Sequence, residues 1–353
     1  MKIIVDAMGG DNAPQAPVRG ALDAIAEYGV EVVLVGRGEE ILEALHKEGV
    51  TEVPQGLEIT HANQVVEMCD NPATAFKEKK DSSLTVGLNL LKDGTGDAFV
   101  SAGSTRALLS AATLMTKRIK GIRRAALAPV VPTGNGGAVL IDCGATAECT
   151  PEFLLQFAFM GSYYAERVLG RPEPKVGLLN IGAEPSKGTD LQREAYGLLQ
   201  KASDEGRINF VGNVEAREAV SGSVDVIVSD GYSGNIFLKT MEGVGIYMAR
   251  EIKKMFLSSL KTKIAALLVK DGLREFKKKM DSGEVGGTPL MGISHPVIKA
   301  HGSSDGYAMK NAIRQAMEYS KSGIIEDITE NVEYMRLPVK GLAKKQETDG
   351  TAE

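Results

Sequence analysis

Glycine-rich loops that also carry serine, threonine, asparagine or histidine recur along the sequence. They occupy residues 7–12, 103–106, 182–188, 231–235 and 301–305. Glycine lets backbone N–H groups approach an oxyanion closely, and a helix that follows the loop adds its positive N-terminal end. Serine and threonine at such positions more often only cap the helix, so one loop alone predicts little. Several loops of this kind together predict an anionic substrate.

The candidate phosphate-binding or substrate-binding site consists of residues in these loops and of polar residues at the ends of the preceding apolar segments. These residues are Asp6, Gly9, Gly10, Asp11, Ser101, Gly103, Ser104, Thr105, Gly182, Gly188, Gly234 and His301. His301 could assist the movement of a proton, because its ordinary pKa is near neutrality. A histidine that caps a helix or lies in the core is an equally open interpretation.

The common nucleotide and zinc motifs are not present in the sequence. Gly182 to Gly188 reads G-x-x-x-x-K-G, which inverts the terminal Gly-Lys of the P-loop. Gly36 and Gly38 follow a strand, but Ile41 replaces the third glycine of the dinucleotide-binding fingerprint. The four histidines lack the spacing of a zinc site. We therefore expect no cofactor and no metal, and direct attack by a bound anion is a reasonable chemistry.

Cysteine spacing, the N-terminal segment and the charge limit the possible classes of protein. Cys69, Cys143 and Cys149 show neither paired nor metal-ligand spacing, and Cys143 lies in an apolar segment typical of the core. The sequence starts with a strand pattern rather than a signal peptide, and no apolar run is long enough to span a bilayer. These features predict a cytoplasmic protein. The net charge of −5 argues against general binding of nucleic acid.

Short apolar strands alternate with amphipathic helical patterns through most of the chain. Strands are predicted at residues 3–7, 32–36, 57–62, 97–102, 138–143, 176–181, 208–212 and 224–230, and helices at 14–28, 39–48, 104–118, 151–169, 187–204 and 305–320. Several strands are apolar on both faces, which is typical of a parallel sheet covered by helices. The alternation predicts an α/β fold with a doubly wound, mainly parallel sheet. Its loops would then gather at the carboxyl edge of the sheet.

The length of 353 residues fits one two-lobed α/β unit. We predict this unit over residues 1–335, with a protruding helical segment at about 241–281 that is interrupted near Asp271-Gly272. Residues 336–353 are polar and predict a flexible C-terminal tail.

A basic segment lies within the predicted protrusion. Residues 250–280 contain ten Lys and Arg and three acidic residues, a net charge of +7. Apolar residues recur there at helical spacing. They are Ile252, Phe256, Leu260, Ile264, Leu267 and Leu268. Packing in the core or in a dimer is one interpretation, and contact with anionic lipid or with an acidic carrier protein is the other.

Several motifs, in a conserved order along the chain, resemble those of the PlsX phosphate acyltransferases of bacterial phospholipid synthesis. The matching stretches are residues 5–11, 80–83, 101–103, 118–122, 177–182, 212–215 and 299–302. Arg106 stands where the family usually has glycine, and it could contact phosphate or lie on the helix surface.

The resemblance implies a fold like that of phosphate acetyltransferases and isopropylmalate-type dehydrogenases, a homodimer, and transfer of a fatty acyl group from acyl-carrier protein to inorganic phosphate. It assigns Lys187 and Asn235 to the active site. The charge and apolar stripe of 250–280 predict peripheral contact with an anionic membrane, where a downstream glycerol-3-phosphate acyltransferase would be a further partner. Two alternatives remain: a dehydrogenase of the related fold and a non-enzymatic carrier-protein adaptor. Nicotinamide binding would indicate the dehydrogenase, whereas phosphate-dependent loss of the thioester would exclude the adaptor.

Overall fold

Two mainly parallel β-sheets form the framework of the chain in a computed structural model that describes residues 1–280 and 282–336. The strands are β1 (Lys2–Asp6), β2 (Glu31–Gly36), β3 (Leu57–His61), β4 (Ala98–Ser101), β5 (Ala126–Leu127), β6 (Val130–Val131), β7 (Ala138–Ile141), β8 (Lys175–Asn180), β9 (Asn209–Glu215), β10 (Val226–Val228), β11 (Gly287–Met291) and β12 (Val297–Ala300). The first sheet has the order β3-β2-β1-β4-β12-β11-β5, and the second has the order β6-β7-β10-β8-β9. Only β11, β5 and β6 run antiparallel to their described neighbours.

Helices cover both faces of each sheet. They are α1 (Gln15–Tyr28), α2 (Gly38–Lys47), α3 (Ala75–Glu78), α4 (Ser83–Lys92), α5 (Thr105–Ala111), α6 (Pro151–Arg167), α7 (Asp190–Asp204), α8 (Ala216–Ser221), α9 (Gly231–Leu257), α10 (Leu260–Leu268), α11 (Lys270–Met280), α12 (Ser282–Val285), α13 (Gly306–Lys321) and α14 (Ile324–Glu330). A π-helical turn over Ala112–Thr116 continues α5.

Strand β1 illustrates why apolar residues on both faces produce this fold. Ile3 and Val5 point into the core that α1 and α13 cover, whereas Ile4 points into the core that α4 and α5 cover. All three are fully buried. Because successive side chains of a strand point to opposite faces, a strand buried on both sides needs a continuous apolar run. The predicted α/β fold with mainly parallel sheets is confirmed.

The two sheets are joined by a short crossing and by a shared core. Consecutive strands β5 and β6 belong to different sheets. The Cys143 amide, just after β7, donates to the Leu127 carbonyl on β5 at 3.2 Å. Val5 of the first sheet and Val139 of the second belong to the same hydrophobic cluster. The prediction of a single unit over 1–335 stays a prediction, and all of the tail predicted over 336–353 except Arg336 lies outside the described residues.

Each predicted strand corresponds to a strand of the structure, and the helices predicted at 14–28, 39–48 and 151–169 correspond to α1, α2 and α6. The helical prediction at 241–281 needs correction. Helix α9 already begins at Gly231, because the Asp230 carboxylate caps it by accepting the amides of Tyr232 and Ser233. The breaks fall at Ser258-Ser259 and Val269, whereas Asp271-Gly272 lies inside α11. Residue 281 is outside the described residues.

Helices α9, α10 and α11 span the segment for which a protrusion was predicted, and α10 packs against α9. None of the residues of α10, all of which the structure describes, is buried. Leu260, Leu267 and Leu268 are 78%, 72% and 83% exposed. The interpretation of this stripe as part of the chain's own core is therefore wrong for α10, whereas contact with a second copy, a carrier or lipid stays open. No helix among the described residues has the length and apolar character needed to cross a membrane.

Candidate active site

Loops at the carboxyl ends of β1, β4 and β12 contact one another directly. The Asp11 amide donates to the Gly302 carbonyl at 2.8 Å. A Cβ atom added to Gly9 would lie 2.7 Å from the Gly103 nitrogen and 2.6 Å from Asp6 Oδ2. Only glycine permits this approach of two backbones. The first-sheet residues predicted from the sequence are thus brought together at one edge.

A buried carboxylate holds two of these loops. Ser101 Oγ donates to Asp6 Oδ2 at 2.6 Å, and the Gly103 amide donates to Ser101 Oγ at 3.1 Å. The Met8 amide donates to Asp6 Oδ1 at 3.1 Å. Asp6 is only 3% exposed, and burial raises the pKa of its carboxyl. The hydrogen bonds of Asp6 therefore shape the loops around the site.

The loop after β4 leads into α5 through a serine cap. Ser104 Oγ accepts the Ala107 amide at 3.5 Å, so this hydroxyl has the capping contact that is its commoner use. Ser104 also lines a narrow cavity beside Asp6 and Gly103, whose apolar side is formed by Val65, Val66 and Leu84. Thr105 begins α5. Arg106 is exposed.

His301 lies at the carboxyl end of β12 and pairs with a serine of its own loop. Its Nδ1 atom is 2.8 Å from Ser303 Oγ and accepts the Ser303 amide at 3.3 Å. Since an N–H group donates to Nδ1, the neutral imidazole carries its proton on Nε2. Burial lowers the pKa of His301, and the nearby Lys239 charge lowers it further. The neutral ring therefore presents an N–H donor.

Gly302 to Gly306 fits the G-x-S-x-G pattern of hydrolase nucleophile elbows, between β12 and α13. The serine of the pattern, Ser304, is only 6% exposed. Its hydroxyl has no hydrogen-bond partner within the part of the chain that the structure describes. An elbow serine is exposed and paired with a histidine, so the geometry of Ser304 is not that of an activated nucleophile.

Asn235 belongs to the second sheet and lies in the first turns of α9. Its Nδ2 atom donates to the Cys143 carbonyl at 3.1 Å, which ties α9 to the loop after β7. Gly234 packs so closely that an added Cβ would lie 2.0 Å from the Asp142 carbonyl oxygen. Asn235 is exposed, and one amide N–H group and its carbonyl oxygen have no partner among the described residues.

Asp142 is a loop-shaping residue that the sequence reasoning missed. It is fully buried, and its Oδ1 atom accepts the amides of Leu127, Gly144 and Ala145 at 2.9, 3.3 and 3.1 Å. Its Oδ2 atom accepts the Thr146 amide at 2.7 Å. Burial raises the pKa of this carboxyl, although the N–H donors favour its ionised form. An aspartate at the end of an apolar strand was the available signal.

Lys187 lies in the loop after β8. Its carbonyl oxygen accepts Asn180 Nδ2 at 3.2 Å, and its side chain covers Gly182. The turn at Gly188 has φ +87°, and its carbonyl accepts Arg193 Nη1 at 2.6 Å. The Lys187 side chain is exposed, and no ion pair of its ammonium occurs among the described residues. Lys187 also precedes α7, which begins at Asp190, so the helix predicted at 187–204 starts later.

The candidate residues form separate groups rather than one contact cluster. Within residues 1–280 and 282–336, no hydrogen bond or ion pair joins Lys187 to Asn235, or either residue to the loops of the first sheet. Lys239, which the sequence reasoning missed, lies between the groups. Its charge lowers the pKa of His301 in one loop and of Cys143 in the other, and its Nζ atom pairs with Glu242 at 2.6 Å. Its position four residues after Asn235, on the same helix face, was the signal.

In the described ranges, no group of three or more His, Cys, Asp or Glu side chains is close enough to hold a metal ion. The side-chain positions that suit an anion are the exposed Lys187 ammonium and the His301 Nε2 proton. The amides of Asp11, Gly103 and Ser303 already donate within the loops.

Comparison with known proteins identifies the family. A family model described as "Fatty acid synthesis protein" matches residues 1–327. Phosphate acyltransferase of Alkaliphilus oremlandii is 48% identical over 332 residues, which cover 94% of this chain and 97% of that protein. The chain belongs to the PlsX family. Phosphate acyltransferase of Desulfitobacterium hafniense is 49% identical over 329 residues, covering 93% and 96%. The predicted PlsX relationship is confirmed, and it places the chain among the acyltransferases of fatty-acid and phospholipid synthesis.

Solved structures agree with the fold of the PlsX chain. A phosphotransacetylase from Streptococcus pyogenes has a TM-score of 0.62 at 20% identity, covering 91% of this chain and 94% of its own. A 4-hydroxythreonine-4-phosphate dehydrogenase from Klebsiella pneumoniae has a TM-score of 0.54 at 12% identity, covering 91% and 99%. At these identities the similarity concerns the fold alone. It agrees with the expected relationship to phosphate acetyltransferases and to a dehydrogenase-like fold.

Proposed function

We propose that this chain transfers a fatty acyl group from the thioester of acyl-carrier protein to inorganic phosphate, giving acyl-phosphate for phospholipid synthesis. The contact between the glycine loops after β1, β4 and β12 is the observation that carries this proposal. It brings three glycine loops together at the carboxyl edge of a parallel sheet, where anions bind. The names of the curated relatives, phosphate acyltransferases, support the same reaction.

Bound phosphate is the nucleophile of the proposed reaction. Its second ionisation lies close to neutrality, as for phosphate esters at about pH 6, so a dianion is available without a strong base. A phosphate oxygen forms a bond to the thioester carbonyl carbon, and the carbon–sulfur bond then breaks. The carrier leaves as a thiolate that takes up a proton. Positioning and stabilisation of charge supply the catalysis.

Lys187, Asn235 and His301 supply charge and hydrogen-bond donors in this reaction. The exposed Lys187 ammonium neutralises phosphate or the developing oxyanion. Asn235 donates its remaining amide N–H group to one of them, since the other is bound to the Cys143 carbonyl. The His301 Nε2–H group is a further donor, because Nδ1 already accepts a backbone amide. A substrate that spans the two sheets would bring these groups to one reacting centre.

The cysteines are poor candidates for a covalent acyl-enzyme. Burial raises the pKa of the Cys143 thiol well above its ordinary value, and it raises the pKa of Cys149 to about 12. Both thiols are therefore protonated near neutral pH, and the thiolate is the reactive form. Cys69 is exposed, at a distance in sequence from the glycine loops. These properties favour direct attack by phosphate.

The proposed reaction is tested with long-chain acyl-carrier protein, phosphate and hydroxylamine. We expect acyl-hydroxamate to form only when enzyme and phosphate are both present, together with free carrier. Intact mass spectrometry during turnover should show no acylated enzyme, and a variant with all three cysteines changed to alanine should keep its activity. Nicotinamide-dependent oxidation without acyl-phosphate would contradict the function. A stable acyl group on a cysteine or on Ser303 would contradict direct attack alone.

The helical protrusion is the proposed contact with an anionic membrane. The apolar residues of α10 are exposed on the same helix as Lys261 and Lys263, within the segment 250–280 whose net charge is +7. An amphipathic basic helix binds anionic lipid through both features, with about 1 kcal/mol from each lysine close to the surface. An acyl-phosphate with a long chain is released most usefully where a membrane glycerol-3-phosphate acyltransferase can use it. We also propose that the chain is a homodimer.

Sedimentation with anionic vesicles tests the membrane contact. In the test variant, Lys253, Lys254, Lys261 and Lys263 are changed to glutamate. In the control, the exposed lysines Lys47, Lys92, Lys201 and Lys321 are changed to glutamate. We expect vesicle binding at low salt by the wild type and the control but not by the test variant. Equal binding by all three would exclude this segment, and a raised KM for acyl-carrier protein without vesicle binding would assign it to the carrier.

A further inference from the structure

Lys299 is a buried lysine in a row of polar side chains beneath the glycine loops. It lies on β12 opposite Ser101 of β4, and Ser101 bonds to Asp6 of β1. Partners in register across parallel strands point to the same face of the sheet. Lys299 is 9% exposed, Ser101 is fully buried and Asp6 is 3% exposed. This row crosses the three strands whose loops meet at the candidate site.

Among the described residues, the Lys299 ammonium hydrogen-bonds only to main-chain atoms. Its Nζ atom donates to the carbonyl of Ala102 at 3.3 Å and to the carbonyl of Ala300. No carboxylate within the described residues forms an ion pair with it. A lysine ammonium has three N–H donors, so one donor is left without a partner. Asp6 and Asp11 act on this charge only from beyond ion-pair distance. A buried charge without a direct ion pair is costly, and such charges are enriched at functional sites.

The Ala102 carbonyl links this ammonium to the site. Ala102 precedes Gly103, and Gly10 packs on it so closely that an added Cβ would lie 2.9 Å from Ala102 Cβ and 3.0 Å from the Gly302 carbonyl oxygen. The three loops thus meet above one positive charge. The Asp6 carboxylate, in contrast, is already occupied by Ser101 Oγ and the Met8 amide. An anion in these loops would also meet the charge of the Asp6 carboxylate, and the Lys299 ammonium is the buried positive charge that offsets it.

We propose that Lys299 is the positioning residue that holds the phosphate acceptor in the glycine loops of the first sheet. This inference rests on the proposed function and extends it to a residue on a strand rather than in a loop. Lys299 acts through its charge and through its hydrogen bond to the Ala102 carbonyl, which fixes the start of the loop after β4. Lys187, in the loop after β8 of the second sheet, then stabilises the developing oxyanion.

The charge of Lys299 makes phosphate binding depend on pH. Burial lowers its pKa to about 8, whereas Asp6 on β1 and Asp11 in the adjoining loop raise it, and Lys239 on α9 lowers it. Neutral His301 is the other titratable group of this edge. The KM for phosphate should therefore rise as the pH passes through about 8 and the ammonium loses its proton.

As the pH rises through this range, phosphate should bind more weakly, whereas the free energy of unfolding should increase. The unfolded chain holds its lysine proton up to the ordinary pKa of 10.5, while the folded chain loses it near 8. Between these values the unfolded state binds more protons, so the free energy of unfolding rises with pH. Without Lys299 this contribution to the rise disappears.

The test uses Lys299→Met, and Lys299→Gln keeps a hydrogen-bond donor without the charge. Lys310→Met is the matched control, because Lys310 is 13% exposed but pairs with Glu27 on α1. In both Lys299 variants we expect the KM for phosphate to rise about tenfold or more, with kcat changed less than about threefold. The KM for acyl-carrier protein should stay unchanged. The rise of the phosphate KM above pH 8 and the increase of Tm by phosphate should both be lost.

Other outcomes overturn the inference. If both Lys299 variants unfold, or if their phosphate KM and phosphate-dependent Tm match the wild type, Lys299 has only a structural role. A raised KM for acyl-carrier protein with an unchanged phosphate KM would assign the charge to the carrier's phosphopantetheine group instead. Failure of the wild type to form acyl-phosphate would contradict the proposed function. In that case the phosphate-dependent Tm of wild type and Lys299→Met still tests the binding role separately.

Discussion

Lys187→Ala should lower kcat by about a hundredfold while the protein folds normally. Loss of a charge-assisted contact to a transition-state oxyanion costs about 3 kcal/mol, which corresponds to that factor. The fold should be kept because the carbonyl of Lys187 holds the loop by accepting Asn180 Nδ2, and its exposed ammonium has no described ion pair. The measurement is the steady-state rate of acyl-phosphate formation at saturating phosphate, together with circular dichroism.

Two further variants make this result specific. Lys187→Arg keeps the positive charge, so we expect it to recover part of the lost rate. Lys201→Ala removes an exposed lysine of α7 whose nearest acidic partner, Glu205, is 4.0 Å away, and its rate should equal that of the wild type. Near wild-type turnover of Lys187→Ala at saturating phosphate would show that its assigned role is wrong.

Asn235→Ala should lose a similar amount of activity for a partly different reason. Its amide both faces the proposed reacting centre and donates to the Cys143 carbonyl. The variant should therefore also lose about 1 kcal/mol of the free energy of unfolding, the usual contribution of one hydrogen bond. If Asn235→Ala keeps its activity but is less stable, Asn235 has only a structural role, which is to join α9 to the loop after β7.

Buried carboxylates shape loops of both sheets, and the sequence analysis named only one of them, Asp6, and named it as a candidate for substrate binding. Asp6 ends β1 and Asp142 follows β7, and each carboxylate accepts backbone N–H donation from the loop that comes after it. Asp6 lies beside a conspicuous pair of glycines, whereas Asp142 precedes Cys143 in a segment that resembles an ordinary buried strand. A carboxylate that only receives backbone amides leaves no pattern of side-chain spacing, so its role depends on the tertiary structure.

The strands that the sequence did not predict are short or carry unfavourable residues. Strands β5 and β6 have two residues each, and β11 contains glycine and proline. Strand β12 contains Lys299, a residue type that is depleted in strands and rarely buried. The sequence analysis assigned residues 299–302 to a motif, but the sequence alone does not show that Lys299 is buried. The tertiary environment of the first sheet decides its position.

The start of α9 was missed because of the residues that make the site. Gly231 and Gly234 predict a loop from their helix propensity, which is about 1 kcal/mol less favourable than that of alanine. In the structure both lie in the first turn of α9, after the Asp230 cap. Gly231 packs near Thr146 and Gly234 near Asp142, so the glycines permit close packing against the loop after β7. Local propensity is overridden by this contact.

Gly234→Ala should therefore be the most destabilising small substitution in the second half of the site. The added methyl group would lie 2.0 Å from the Asp142 carbonyl oxygen and 3.1 Å from its carbonyl carbon, which are backbone atoms that cannot rotate away. Relief of the clash requires α9 to move away from the loop after β7. We expect a loss of about 3 kcal/mol in the free energy of unfolding, the upper range for overpacking. Because Asn235 moves with α9, activity should fall as well.

Gly243→Ala is the matched control on the same helix. No atom lies within 4 Å of the position that its Cβ would take, so the gain in helix propensity should raise the free energy of unfolding by about 0.5–1 kcal/mol. Urea unfolding of both variants measures the difference, and acyl-phosphate formation is assayed beside it. If Gly234→Ala unfolds at the same urea concentration as the wild type, α9 does not pack closely against Asp142 and the loop after β7. The Asn235 amide would then lack the close support that its proposed role requires.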